Sequence, residues 1–124
     1  MNRNNLKQDL YKRAYLYALR VIKFVEKLPR DSTSQIIGNQ LLRSGTSLSA
    51  NLIEAKSASS KKDYINFYQY ALKSANESKL WIGLLRDTGK INKKEAEDLL
   101  KETIEFAKIL ASSILTLKGK RREF

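Results

Sequence analysis

Apolar residues recur along this chain at helical spacing in four stretches separated by short polar runs. In the first, Leu10, Ala14, Tyr17, Val21, Phe24 and Leu28 form a heptad seam. Asn5-Leu-Lys-Gln8 reads as its capping box, and Leu28-Pro29 ends it, because a residue before proline is pushed out of the α region. A first helix is thus predicted from Leu6 to Leu28. Ser32-Thr-Ser-Gln35 reads as the box that opens a second helix, with the line Ile37, Leu41, Ser44, Leu48, Asn51, Ala55. Ser60-Lys-Lys-Asp63 opens a third, which runs to Thr88 with Gly89 as a left-handed stop. Asn92-Lys-Lys-Glu95 opens a fourth, ending near Lys118-Gly119. Its seam is Ala96, Leu99, Thr103, Phe106, Leu110, Ser113 and Leu117, with Leu100, Ala107 and Ile114 beside it. Four capped helices, short connections and no strand pattern predict an all-α, antiparallel up-down-up-down four-helix bundle. One such domain covers residues 1–118, followed by a basic tail over 119–124.

The second helix carries a polar line across its apolar one: Gln40, Ser44, Ser47, Asn51 and Glu54. A polar residue on a packing seam costs stability unless it meets a partner or sets register. The complement is predicted in the third helix, where Ser74 and Glu77 fall on the line Phe67, Tyr70, Ser74, Glu77, Trp81, Leu84. These two helices are expected to cross through small residues, with Arg43, Asn51, Glu54 and Glu77 in one hydrogen-bonded cluster. Gly45, inside the second helix, costs about 1 kcal/mol relative to Ala, so it is expected to serve close approach of a neighbour. Glu, Asn and Arg together also suit acid–base chemistry. Metal-binding bundles, however, use Glu-x-x-His repeats, and this chain has no His and no Cys. A structural network is the expectation, with no metal and no cofactor.

Charge changes the picture more than composition does. The chain of 124 residues carries a formal net charge of +11. That excess points to polyanions such as RNA or DNA, against the alternative of a lysine-rich soluble surface. Residues 1–30 hold eight Lys/Arg against two acids. On the first helix Arg13, Arg20, Lys23 and Lys27, with Arg30 just beyond, form a cationic stripe that reads either as a solvated face or as a binding face. Lys118, Lys120, Arg121 and Arg122 make a second basic cluster. No motif for sequence readout is present: no RNA-recognition aromatic signature, no GXXG loop, no zinc-finger spacing and no P-loop. Without an apolar run of 18 residues, no membrane span is expected; the charged N-terminus does not read as a secretory signal, so the cytoplasm is the expected compartment.

The third helix is apolar on more than one side. Tyr64, Tyr68, Ala71, Ala75, Ile82 and Leu85 form one line, and Phe67, Tyr70, Trp81 and Leu84 another. Such breadth in a four-helix domain predicts a further subunit against Tyr64, Tyr68 and Trp81. Stacking of these aromatics on bases is the alternative reading.

The run Gln40-Leu-Leu-Arg-Ser-Gly-Thr-Ser-Leu-Ser-Ala-Asn-Leu-Ile-Glu-Ala55, followed by the A-x-x-S-x-x-E-x-x-x-W run from Ala71 to Trp81, resembles the four-helix-bundle family of 23S ribosomal RNA intervening-sequence proteins. That family is in turn similar to the accessory variability determinant protein of diversity-generating retroelements. The resemblance spans almost the whole chain and sits on Gln40, Arg43, Ser44, Ser47, Asn51, Glu54, Ser74, Glu77 and Trp81. Where members commonly carry Ile-Ala-Glu-Gly, this chain has Leu52-Ile-Glu-Ala55. The resemblance implies a small basic protein that assembles into a ring-like homopentamer and works with nucleic acid. The expected function is non-enzymatic, oligomeric binding of structured RNA or RNA/DNA with low sequence specificity, as an accessory factor. The alternative is an oligomeric scaffold for a protein partner such as a polymerase or reverse transcriptase.

Overall fold

The computed structural model describes residues 3–119, with side chains from Asp9 onward. Helix α1 spans Arg3–Glu26, α2 Ser32–Glu54, α3 Lys61–Asp87 and α4 Lys93–Leu117, with a 3₁₀ turn at Ala55–Ser57 after α2. Neighbouring helices run antiparallel. Between α1 and α2, Ser49 donates to the Ala14 carbonyl at 2.6 Å. Between α2 and α3, Ser44 faces Ser78 and Ser47 faces Ser74. Between α1 and α4, Arg13 reaches Glu102 while Lys27 reaches Glu95. The bundle closes most tightly through α2 and α3, α1 and α3 lie diagonally, and α1 meets α4 chiefly through side chains.

The caps explain where each helix starts. Ser60 accepts from the Asp63 amide at 3.0 Å, and Asn92 accepts from the Glu95 amide at 3.2 Å, both as the sequence predicts. At α2 the cap is one residue earlier than expected. Asp31, not Ser32, accepts from the Ser34 amide and hydroxyl, each at 2.9 Å. Aspartate and serine cap about equally well, and the negative charge of Asp31 adds attraction to the positive end of the helix. Those Ser34 bonds, with Lys90 nearby, hold the Asp31 carboxyl below its ordinary value. Helix α1 begins at Arg3, ahead of the predicted Asn5 cap, so Asn5 lies inside the helix. Gly89 and Gly119 close α3 and α4 with φ of 70° and 69°, the left-handed conformation that side chains oppose.

The core follows the predicted seams. Ala14, Tyr17, Val21, Phe24 and Leu28 are all buried on α1, as are Ala96, Leu99, Thr103, Phe106 and Leu110 on α4. Tyr17 meets Phe106 edge-on at 5.4 Å and shares a 2.6 Å hydrogen bond with the buried Thr103 hydroxyl. Ala55 is buried with φ −55°, which alanine adopts freely, so this position needs no glycine.

Gly45 is where α1 comes closest to α2. A Cβ there would lie 2.8 and 2.9 Å from the two Cγ atoms of Val21, a fully buried, β-branched side chain with little freedom to move. At Gly38 the clash is with Leu28 Cδ1 at 2.7 Å, the far end of a flexible side chain. Overpacking costs about 1–3 kcal/mol, whereas the helix gains about 1 kcal/mol from Gly to Ala. Gly45→Ala is therefore expected to lower stability by about 1 kcal/mol, while Gly38→Ala leaves it unchanged or raises it. Urea unfolding midpoints of the two variants check this; equal shifts would show that α1 adjusts its distance freely.

Candidate nucleic-acid interface and subunit faces

The cationic side of α1 divides in two. Arg13 is fixed: its Nε and Nη2 donate to the two carboxylate oxygens of Glu102 at 2.8 and 2.6 Å, it lies 3.5 Å from Glu105, and its guanidinium sits 5.2 Å over the Phe106 ring. Lys27 donates to Glu95 at 3.1 Å. Arg20, Lys23 and Arg30 are exposed and form no ion pair among the described residues. At 100° per residue, Arg13, Arg20 and Lys27 recur on the flank of α1 turned towards α4, with Lys23 further round. The acids on the first half of α4 thus neutralise part of the stripe as well as favouring the helix dipole. Of the second basic cluster, Lys118 is exposed at the end of α4, and Lys120, Arg121 and Arg122 lie outside the described residues.

Glu102 shows what the Arg13 contact does. The guanidinium hydrogen bonds hold its carboxyl below the ordinary value of 4.5, against a smaller opposing push from burial. A depressed folded-state pKa contributes stability above the unfolded value, and that contribution is lost as pH falls through the folded value. The melting temperature is expected to drop as pH is lowered below 4.5, and Glu102→Gln to make the drop shallower. Parallel acid profiles for the two proteins would remove Glu102 from the pH response.

The polar line of α2 meets α3 in separate hydrogen-bonded groups. Arg43 forms an ion pair with Glu77, and Gln40 accepts from Arg43 at 3.1 Å. Glu77 also accepts from the Trp81 indole at 3.0 Å. Ser74 donates to Ser47 at 3.0 Å, and Asn51 donates to the Ser47 carbonyl at 2.9 Å. Deeper in, Ser44 and Ser78 share a 2.8 Å bond, both fully buried. Among the described residues no buried side-chain nitrogen or oxygen lacks a partner. Gln40, Arg43 and Glu77 form one group and Ser47, Asn51 and Ser74 another, with no hydrogen bond joining the two among the described residues, so the single cluster expected of Arg43, Asn51, Glu54 and Glu77 does not form. Glu54 joins neither group: it is exposed at the last turn of α2 and forms no hydrogen bond or ion pair with its side chain among the described residues. The register that sets Ser47 opposite Ser74 carries Glu54 towards the level of apolar Phe67. Ser78, which the sequence reading missed, takes the central place, and the buried Ser44 opposite it was the available signal.

The third predicted group also splits. Tyr68 is only 4% exposed, stacked on Tyr64 at 4.8 Å and hydrogen-bonded to its hydroxyl at 2.9 Å. It shares the core line with Ala71 and Ala75, so it belongs to the protomer's interior and not to a subunit contact. Tyr64 is half-buried behind it. Trp81 is half-buried on the α2-facing flank of α3, beside the exposed Tyr70 (53%), Leu80 and Leu84. A second apolar patch was not foreseen: Tyr15 (60% exposed), Leu19 and Ile22 on the outer face of α1, with Leu16 beside them. Their i, i+4, i+7 spacing was readable, but the lysines and arginines between them drew the reading to charge.

Among the described residues no group of three or more His, Cys, Asp or Glu is placed to hold a metal ion, and no helix is long and apolar enough to cross a membrane. What the surface offers is cations without partners, two apolar patches on diagonal helices, and a hydrogen-bonded seam between α2 and α3. The seam coincides with the stretch from Gln40 to Trp81 that carries the sequence resemblance. The profile of the family described as 23S rRNA-intervening sequence protein matches residues 6–112. The chain belongs to that family. It is also similar to a crystal structure of a protein of unknown function from the S23 ribosomal protein family of Bacteroides thetaiotaomicron VPI-5482. The two are 35% identical, with a TM-score of 0.78 over 84% of this chain and 96% of that one. No curated protein matches this chain.

Proposed function

We propose that this intervening-sequence family protein is a non-enzymatic, self-assembling nucleic-acid-binding protein that holds structured RNA or an RNA/DNA duplex through its phosphates. The observation that carries this reading is the charge left over after internal pairing. The acids of α4 are taken up by Arg13, Lys27, Lys93 and Lys94, while Arg20, Lys23 and Arg30 at one end and Lys56, Lys61 and Lys62 at the other form no ion pairs among the described residues. The described surface thus keeps cations without compensating acids, in a chain whose formal net charge is +11. Phosphate contacts of this kind position a nucleic acid without reading its sequence. The family name points the same way. The test is binding of a structured RNA in EDTA at 50 mM salt: retention without cleavage supports the reading, and absence of binding there overturns it.

Assembly belongs to the same proposal. The apolar patches lie on α1 and α3, diagonal helices whose outer faces point away from each other. Two different patches on opposite sides suit a head-to-tail contact, in which the α1 face of one subunit meets the α2–α3 flank of the next. Such contacts form rings when the rotation between subunits closes and open filaments when it does not, and the ring is the form proposed here. Five subunits is the number the family resemblance favours. A ring would repeat the free cations and gain avidity from weak contacts.

The exposed Tyr15, Leu16, Leu19 and Ile22 among cations also favour a second reading, a scaffold for a protein partner such as a polymerase or reverse transcriptase. Recovery of one dominant protein after nuclease treatment of a pull-down would select it, and recovery of nucleic acid alone would reject it.

A further inference from the structure

At the bundle end where α1 begins and α4 finishes, the chain encloses an open cleft of about 510 Å³. Its walls are the rings of Tyr11 and Tyr64, its apolar side includes Leu117, and its polar rim holds Lys56, Ser60 and Lys61. Among the described residues no carboxylate lines it. Asp63, two residues beyond Lys61, is engaged by the Ser59 amide at 3.0 Å, and Ser60 caps the α3 amide of Asp63. Attraction for an anion therefore comes from the two ammonium groups and not from free helix amides. The Lys56 ammonium lies 4.7 Å over the Tyr11 ring. Among the described residues it has no carboxylate partner, and a phosphate at the rim would be a stronger partner than the ring. A flat aromatic wall, an apolar side and two cations within one cleft of ligand size match one chemistry.

We propose that this cleft holds one nucleotide, its base against Tyr11 and Leu117 and its phosphate between Lys56 and Lys61. The nucleotide is either an unpaired unit of a strand or free in solution. In the strand form this inference rests on the nucleic-acid reading above and adds to it a specific place for an unstacked base. Lys56 leaves the Tyr11 ring for the phosphate, and the base takes the vacated face. Lys118 follows Leu117 directly, so a strand leaving the cleft would pass the start of the basic C-terminal sequence.

The experiment uses the full chain and two probes, a single-stranded RNA oligomer with 2-aminopurine at one position, and adenosine monophosphate. Oligomer binding is expected to change the 2-aminopurine emission. Lys56→Gln with Lys61→Gln should make the salt slope shallower by roughly 1.4, at about 0.7 per single-strand phosphate contact. Tyr11→Leu should weaken the oligomer on the order of 10-fold by loss of stacking. If Tyr11→Leu lowers the melting temperature, the lysine pair, which is exposed, carries the test alone. Adenosine monophosphate that displaces the oligomer assigns the cleft to free nucleotide as well as to a strand. Wild-type binding of the oligomer with unchanged affinity and slope in the lysine variant overturns the cleft and leaves the nucleic-acid reading intact. Binding of the monophosphate, lost in the lysine variant, with no binding of any strand at 50 mM salt supports the cleft while the nucleic-acid reading fails. Binding of neither probe and of no structured RNA overturns both.

Discussion

Leu19→Glu on α1 and Leu84→Glu on α3 are each expected to abolish assembly, and the two variants mixed together are expected to form a pair and stop. Both leucines are exposed in the protomer, so a carboxylate there is solvated and the bundle remains folded. In a subunit contact the same carboxylate would be buried without a partner, which association cannot offset. In a head-to-tail ring each contact uses one α1 face and one α3 flank. The Leu19→Glu protein keeps its α3 flank, and the Leu84→Glu protein keeps its α1 face. One productive contact then survives between them and no further one, giving a species of twice the 14.2 kDa protomer mass. Interfaces that are twofold-symmetric at both patches predict the opposite. Each variant would dimerise with itself through its intact patch, and mixing would change nothing. Light scattering on each variant and on the mixture separates the two cases. Wild type running at the protomer mass at micromolar concentration would dispose of assembly altogether.

Much of the fold is legible because its devices are local. Heptad spacing put Ala14, Tyr17, Val21, Phe24 and Leu28 in the core, and their burial follows from the 3.6-residue period alone. The caps at Ser60 and Asn92 depend on residues three apart, and both form. Asp31 displaced Ser32 because two neighbours competed for one set of amides, and a pattern of residue types does not rank them. The α2–α3 seam was legible in kind, since serines on an apolar line must find partners. Ser78 escaped because choosing among Ser74, Glu77 and Ser78 requires the crossing geometry.

The candidate surface was less legible, for a reason visible at Arg13. Counting charge along the chain assigned Arg13, Arg20, Lys23 and Lys27 to one stripe, but only the packed bundle sets α4 beside α1. There Glu102 and Glu95 claim Arg13 and Lys27. The signal existed, as an acidic first half of the fourth helix facing a basic first helix in antiparallel order. Tyr68 shows the converse limit. An aromatic at helical spacing looks alike whether its neighbour is the protomer's own core or another subunit, and burial decides it. The cleft at Tyr11, Lys56 and Lys61 draws on three separate elements, which no local pattern connects.

Affinity for a structured RNA is expected to fall by on the order of 10³ between 50 and 200 mM salt if several phosphates are neutralised. Each contact releases condensed counterions, and the logarithm of affinity falls by about 0.9 per contact on a duplex for each decade of salt. The groups able to act this way are those whose charge is not already spent. Replacing Arg20, Lys23 and Arg30 together by Gln should therefore flatten the slope by roughly 2 to 3, counting one such contact per side chain. None of the three is on a buried seam of the protomer, so the melting temperature should stay as in wild type. Because Lys23 lies between Leu16 and Leu19 round the helix, on the proposed subunit face, Arg20→Gln with Arg30→Gln, at roughly 1.8 in slope, reads the phosphate contacts apart from assembly. Arg13→Gln should behave in the reverse way. It strips Glu102 of its bidentate partner and Phe106 of the guanidinium above it, lowering stability while leaving the salt slope unchanged. Asn51→Ala or Glu77→Ala should likewise act on folding or assembly first, because Asn51 bonds Ser47 and Glu77 holds both Arg43 and Trp81. Filter binding across a salt series, with a melting curve for each variant, reads both effects at once. A slope that the Arg20, Lys23, Arg30 variant leaves unchanged, or that Arg13→Gln flattens, would mean that phosphate is held somewhere other than this flank of α1.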